Sequence, residues 1–600
     1  MPALPSIFRR RPRSADKSPD QRTLWQLVRP FMGGQKRRLI LISVAAVFGG
    51  LAEAATLVLV ARIAFALASN SDTVSVDVGP VKAHISVPTL VGISLVLLVI
   101  RVALQVFQAR LGAHLGASVL QRTRRRVLRQ YLAADWNLQS QQRDGRLQDL
   151  MTTFVNQAAG AVATISLGAV ALFNLLAFVG TALFVNALAS LFIAILAFLL
   201  ALALRPLRAA VRRRADRQAR ADLEFGTGVT EFTQSLQEVR IYGVGREVSE
   251  RIDAINDRAA YLNARRYTLA NTIPALYQGV ALMLIVAALG LAYAVNFSDL
   301  ASIGAVVLIM LRSLSYGQGL QGCVQSLQEA APYLESLLDE EARYAQAVVT
   351  QGHVHVEELN ELRFDDVTFA YREGEPVIRD MSFAIPRGEV VGVVGPSGAG
   401  KSTLVQLLLR LREPTAGRVL ANGIDAATID IDDWYQRVTF VPQETRLFAG
   451  TVRENITFYR TGIDDAAVER AARSAHIHDD IVAWPQGYDT PVGERGSQVS
   501  GGQRQRICIA RALVDDPDVV VFDEPTSALD VRSESLMRDT MAALAPEKTV
   551  VVIAHRISTL TICHRIMVVF DGEMQGFDTP SALEESNPFY QEALRISGMR

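Results

Sequence analysis

Two hydropathy regimes divide the chain. Long apolar runs crowd residues 39–330, whereas beyond residue 350 short Val- and Ile-rich runs alternate with stretches of helical period. A helix needs about 20 mainly apolar residues to cross a bilayer core, and six segments approach or exceed that length: 39–68, 89–111, 158–185, 187–204, 271–296 and 299–322. The Pro88–Thr89 step marks the start of the second, and a polar turn at Asn186 parts the third from the fourth. The connections at 112–157 and 205–270 are charged yet keep a helical pattern with few Gly or Pro breakers, which predicts helices running well past the bilayer. Within them, Trp136–Leu150 and Phe225–Tyr242 are candidate elbows against a cytoplasmic domain, with plain solvated hairpins as the alternative.

In the second half the apolar runs Glu389–Val394, Thr439–Val441, Val519–Phe522, Thr549–Ala554 and Arg565–Phe570 alternate with helical stretches. That alternation predicts an α/β domain with a largely parallel sheet. The expected architecture is therefore multi-domain: an all-α six-helix transmembrane domain with long intracellular helices, then an α/β domain. Its parts are a basic tail over 1–36, the membrane domain over 37–345, a linker over 346–360 and the α/β domain over 361–600.

Lys and Arg collect in the tail, in Arg122–Arg129 and in Arg205–Arg220, while the outer loops 69–88, 186–190 and 296–300 hold only Lys82. The positive-inside bias places both termini in the cytoplasm, and a bacterial inner or plasma membrane is the expected location. The tail over residues 1–20 is expected to be disordered and able to touch anionic lipid. Glu53, Arg101 and Arg312 fall inside predicted spans, and the sixth span carries Ser313, Tyr316, Gln318, Gln321 and Gln325. Ionisable residues are costly there. A substrate cavity is one reading of them; interhelical hydrogen bonds with a structural ion pair are the other. Arginines facing a cavity would favour an anionic or amphipathic cargo.

The 61 Lys and Arg balance the 61 Asp and Glu, so nothing points to a nucleic-acid partner. Cys323, Cys508 and Cys563 stand far apart without a CxxC, which suggests neither a disulfide framework nor a zinc site.

Directly after Glu389–Val394 comes GPSGAGKST, that is Gly395, Pro396, Ser397, Gly398, Ala399, Gly400, Lys401, Ser402 and Thr403. The spacing is that of a phosphate-binding loop. Its glycines let backbone N–H groups turn inward onto phosphate oxygens at a helix N-terminus. Lys401 adds a positive charge for the β- and γ-phosphates, and the Ser402 hydroxyl can ligate Mg²⁺. The run Val519–Phe522 ends in Asp523-Glu524, which suits a metal-holding carboxylate beside one that addresses an attacking water.

Here a family resemblance enters. Val499–Arg506, VSGGQRQR, lies between those two motifs and resembles the signature sequence of ABC ATPases, which implies that Ser500, Gly501, Gly502 and Gln503 contact nucleotide. Tyr371 resembles the adenine-stacking aromatic, and Gln443 the glutamine that senses Mg²⁺ and the γ-phosphate. Ser527–Asp530 resembles the dimer-contact loop, His555 the switch histidine, and Glu494 part of an exporter-specific segment. Val499 departs from the family's more usual Leu, a change of volume at an apolar position.

The resemblance covers nearly the whole chain and implies a half-size exporter of the type IV, ABCB-like fold. It implies ATP and Mg²⁺ as cofactors, with Glu524 and His555 catalytic and Ser402, Gln443 and Asp523 around the metal. It also implies a second chain, since each phosphate loop would face a partner's signature. A homodimer is the simpler expectation, and a heterodimer stays open. The implied activity is ATP-driven export or flipping of an amphipathic or hydrophobic lipid, lipid-linked sugar, peptide or drug across the lipid bilayer. An ATP-gated channel or regulator, or an importer on the same architecture, is the alternative. No peptidase domain stands ahead of the first span, which argues against an exporter that trims a leader peptide.

Overall fold

The computed structural model describes residues 23–68, 72–78, 81–142, 145–185, 217–218, 221–222, 224–233, 235–294, 300–349, 351–493, 496, 498–525, 531–554 and 556–596. The chain divides into two compact units, Met1–Ala134 with Gln142–Ala347, and Asp135–Gln141 with Val348–Arg600.

The first unit is helical. Its principal helices are Lys36–Ala68, Val87–Leu132, Val155–Val185, Gly245–Ala294 and Leu300–Gln346. Among the described residues, Lys36–Ala68, Val87–Leu132 and Arg146–Val185 are long and apolar enough to cross a membrane. The predicted fifth and sixth spans fall on Gly245–Ala294 and Leu300–Gln346; the predicted span 187–204 lies outside the described residues. Helices of 46, 50 and 47 residues reach about 70 Å at 1.5 Å per residue, more than twice a bilayer core. Their polar ends are tied by ion pairs, Arg126 to Glu341 at 2.8 Å and Arg266 to Glu329 at 2.7 Å. Burial pushes the Glu341 carboxyl above its ordinary range, and Arg126 pulls it back.

Between the first two long helices the chain forms a hairpin of β1 (Thr73–Val78) and β2 (Val81–Ser86), where only a loop was expected. The alternation TVSVDV…VKAHIS carries the period-2 signal of strands, with Gly79-Pro80 in sequence between them.

The second unit carries two sheets. The antiparallel one has the order β4 (Glu375–Pro386), β3 (Glu361–Arg372), β6 (Ala416–Ala421), β7 (Ile424–Asp425). The other runs β12 (Glu573–Asp578), β11 (Arg565–Phe570), β5 (Val390–Val394), β10 (Thr549–Ile553), β9 (Val519–Asp523), β8 (Val438–Val441). All its neighbours pair in parallel except β11 with β12. The five predicted runs are thus five of its six strands, to within one residue at each end; the antiparallel edge strand β12 was not among them. Strict alternation sends Val520, Phe522, Val550 and Val552 into one core and Val519, Val521, Val551 and Ile553 into the other. A sheet buried on both faces needs such unbroken apolar runs.

Candidate active site

The C-terminal ends of β5, β8 and β9 bring the candidate site residues together. β5 is wholly buried and opens into the loop at Gly395. A Cβ at Gly395 would lie 2.1 Å from the Val569 carbonyl oxygen, so the loop can leave the strand only as glycine. Gly400, at φ 101°, caps the helix Lys401–Leu408 in the left-handed region, and a Cβ there would meet Ile378 Cδ1 at 2.8 Å. Lys401 is buried and donates through Nζ to the carbonyls of Gly395 (2.7 Å) and Pro396 (2.9 Å). The ammonium is folded back on its own loop. Burial lowers its pKa, while Glu524 and Asp523 pull it back up.

Asp523 ends β9, and Glu524 follows with φ 46°, in the left-handed region that non-glycine residues enter at a cost. Its backbone N–H is held by the Ile553 carbonyl at 3.0 Å. Because β8 lies beside β9 in parallel with Val441 opposite Phe522, Gln443, two residues past Val441, reaches Glu524, two past Phe522: Gln443 Nε2 donates to Glu524 Oε2 at 2.6 Å. Ser402 is exposed on the first helical turn, and Thr403 beneath it is buried. The Ser402 hydroxyl, the Gln443 amide oxygen and the Asp523 carboxylate are hard oxygen donors of the kind Mg²⁺ takes.

Ser500 caps the helix Gly501–Leu513 in a reciprocal box: its hydroxyl accepts from Gln503 N at 3.3 Å, and Gln503 Oε1 accepts from Ser500 N at 3.0 Å. Ser500 and Gly501 are exposed at this helix start. Among these four residues the capping bonds run to one another. His555, Ser527–Asp530 and Glu494 lie outside the described residues.

The family model described as ABC transporter matches residues 378–527, and that described as ABC transporter transmembrane region matches residues 39–317. The chain belongs to the ABC transporter family. An uncharacterised ABC transporter ATP-binding protein, y4gM, of Sinorhizobium fredii is 43% identical over 214 residues, 36% of each chain. The mitochondrial potassium channel ATP-binding subunit of Homo sapiens is 43% identical over 236 residues, 39% of this chain and 32% of that one. The mitochondrial iron-sulfur clusters transporter ATM1 of Chaetomium globosum is 41% identical over 234 residues, 39% of each. The chain thus spans about a third of the length of these curated relatives. A solved bacterial Atm1-family ABC exporter with ATP bound has the same fold, at TM-score 0.72 and 23% identity, covering 94% of this chain and 98% of that one.

In this ABC transporter chain Tyr371 has a neighbour the motifs did not announce. The Arg412 guanidinium sits 4.6 Å from the Tyr371 ring centroid, and the Tyr371 hydroxyl bonds Thr403 Oγ1 at 3.0 Å. Arg412 also donates to Gln406 Oε1 at 2.6 Å and to Asn137 Oδ1 at 3.0 Å, on the short helix Trp136–Gln141 that groups with this unit. A second residue missed from sequence is Gln505, buried, whose side-chain amide donates to the Pro525 carbonyl just past Glu524. Both contacts join segments remote in sequence. The family pattern offered a signal only for Tyr371.

Proposed function

We propose that the protein is an ATP-driven exporter or flippase working as a homodimer, with six spans, both termini cytoplasmic and ATP with Mg²⁺ at the Gly395–Thr403 loop. The observation that carries this reading is the convergence of the glycine loop, Lys401, Asp523, Glu524 and Gln443 at one sheet edge, in a chain that also holds long apolar helices.

ATP would exchange its phosphate oxygens for the carbonyls that Lys401 Nζ now holds. Ser402, Asp523 and Gln443 would hold Mg²⁺, which supplies charge neutralisation on the phosphates when bound. Gln443, drawn toward that site, would release Glu524, whose carboxylate then orients the attacking water and takes its proton. His555 would steady the γ-phosphate. Exposed Ser500, with Gly501, Gly502 and Gln503, would close over the partner's phosphate loop, and a helix N-terminus suits an anion there. The Trp136–Gln141 elbow, tied through Asn137 to Arg412, and the 225–242 segment would pass closure to the membrane helices.

Mg²⁺-dependent ATP hydrolysis by the full chain in lipid nanodiscs tests the reading; its absence would overturn it. The channel reading is supported by the relative named as a potassium channel ATP-binding subunit, and ATP-dependent uptake against a gradient in inverted proteoliposomes separates the two. The relatives named as iron-sulfur clusters transporters add such cargo to the lipid, lipid-linked sugar, peptide and drug classes.

A further inference from the structure

Three helices of the first unit bring Glu53, Arg101 and Arg312 to one place. Glu53 is buried, and its two oxygens are fully engaged: Oε1 by Arg312 Nε, Oε2 by Arg101 Nε at 2.8 Å and by the Tyr316 hydroxyl at 2.6 Å. Counted at 1.5 Å per residue from the helix ends at Ala68, Val87 and Leu300, the three charges lie about 18–22 Å along their helices. They share one depth.

A structural ion pair needs one charge of each sign, and this cluster has two guanidiniums for one carboxylate. The excess positive charge is unevenly placed. The Glu53 side chain is 8% exposed, that of Arg101 20% and that of Arg312 44%. Arg312 meets Glu53 through Nε, and its guanidinium lies over the Tyr316 ring, 5.6 Å from the centroid; its more exposed Nη edge is the shape that takes a carboxylate or phosphate side by side. Beside it stands an apolar wall of Ala54, Phe178 and Ile309, with the Tyr316 ring packed on it and 5.4 Å from that of Phe178. Ionisable residues at this depth of a span mark a functional site by default.

We propose that Arg312, backed by Arg101, binds the anionic group of an amphipathic cargo, a single carboxylate or phosphate next to an apolar tail, with Glu53 as the internal counterion it competes against. This rests on the exporter reading above and deepens it. The site selects for charge at the head and for apolar surface beside it, so an uncharged amphiphile of the same chain length lacks half of what the site recognises.

The test measures equilibrium binding of labelled decyl phosphate and decyl glucoside to the full chain in phosphatidylcholine nanodiscs, with empty nanodiscs subtracted. The wild type is expected to bind the phosphate at least about tenfold more tightly, the scale of one charge-assisted contact. Arg312→Gln should erase that preference, Arg312→Lys should keep part of it, and Glu53→Gln should tighten phosphate binding severalfold. Equal binding of the two amphiphiles, or an unchanged preference in a folded Arg312→Gln, would overturn the proposal. Phosphatidylglycerol nanodiscs separate the sources: loss of decyl phosphate binding identifies a lipid headgroup as the natural anion, and unchanged binding a soluble amphiphile. Mg²⁺-dependent hydrolysis is recorded on the same samples, so a chain that hydrolyses ATP without anion preference sinks this inference alone.

Discussion

Gln443 Nε2 and Glu524 Oε2 stand 2.6 Å apart, the amide of one strand end holding the carboxylate of the next. The bond occupies the carboxylate that the proposed chemistry needs, so in that proposal nucleotide entry would have to release Glu524. Glu524→Gln is expected to lower Mg²⁺-ATP turnover by about 10²–10⁴-fold, the range of a lost general base. It should also accumulate an ATP-bound dimer on size exclusion. Turnover at the wild-type rate would remove Glu524 from the reaction.

Gly400 and Gly398 both have positive φ, 101° and 82°, yet only Gly400 is hemmed in. Alanine at either position incurs about 1–2 kcal/mol of left-handed strain; at Gly400 it also runs into Ile378 and the Val377 carbonyl. Gly400→Ala should therefore weaken binding of a fluorescent ATP analogue and lower the melting temperature more than Gly398→Ala. Equal effects would show that the close approach to β4 does not matter.

Arg412 touches the Tyr371 ring and Asn137 at once. An exposed cation–ring contact contributes about 0.5–1 kcal/mol, so Arg412→Ala should raise KM for ATP about two- to fivefold. Asn137→Ala spares the ring contact and should leave KM where it is. A matching rise in both variants would place the effect on the elbow helix instead.

Cys563 is buried, and burial pushes its thiol up from 9.0 to about 12; burial also raises Cys508. At pH 8 about one Cys563 in ten thousand is thiolate, so mass spectrometry should find it unmodified by iodoacetamide in the native protein and modified in urea. The folded state keeps a proton that the unfolded state loses. The Cys563 contribution to stability is therefore present below pH 9 and lost as pH rises from 9 toward 12. Ready alkylation at pH 8 would refute that burial.

The parts legible in the sequence are those with a local physical signature. Short Val-rich runs such as Val519–Phe522, bounded by Pro517 and Pro525, read as strands buried on both faces. Gly395 to Thr403 can only be a tight, donor-rich turn into a helix, and the segments of about 20 apolar residues announce a membrane. The β1–β2 hairpin had its alternation too, and was masked by its short length between two long apolar helices.

What only the tertiary structure decided is which distant residues meet. Gln443 reaches Glu524 because β8 and β9 are parallel neighbours, a strand order that no local period encodes. Gln505 reaches Pro525, and Arg412 spans from Tyr371 to Asn137, through the same kind of long-range packing. Glu53 and Arg312, 259 residues apart, could be read as costly charges in the sequence, with cavity and ion pair both open. Side-chain period is set by neighbours a few residues away and survives in the sequence. Pairing of charges is set by how helices pack, and it needed the fold to show two arginines around one carboxylate.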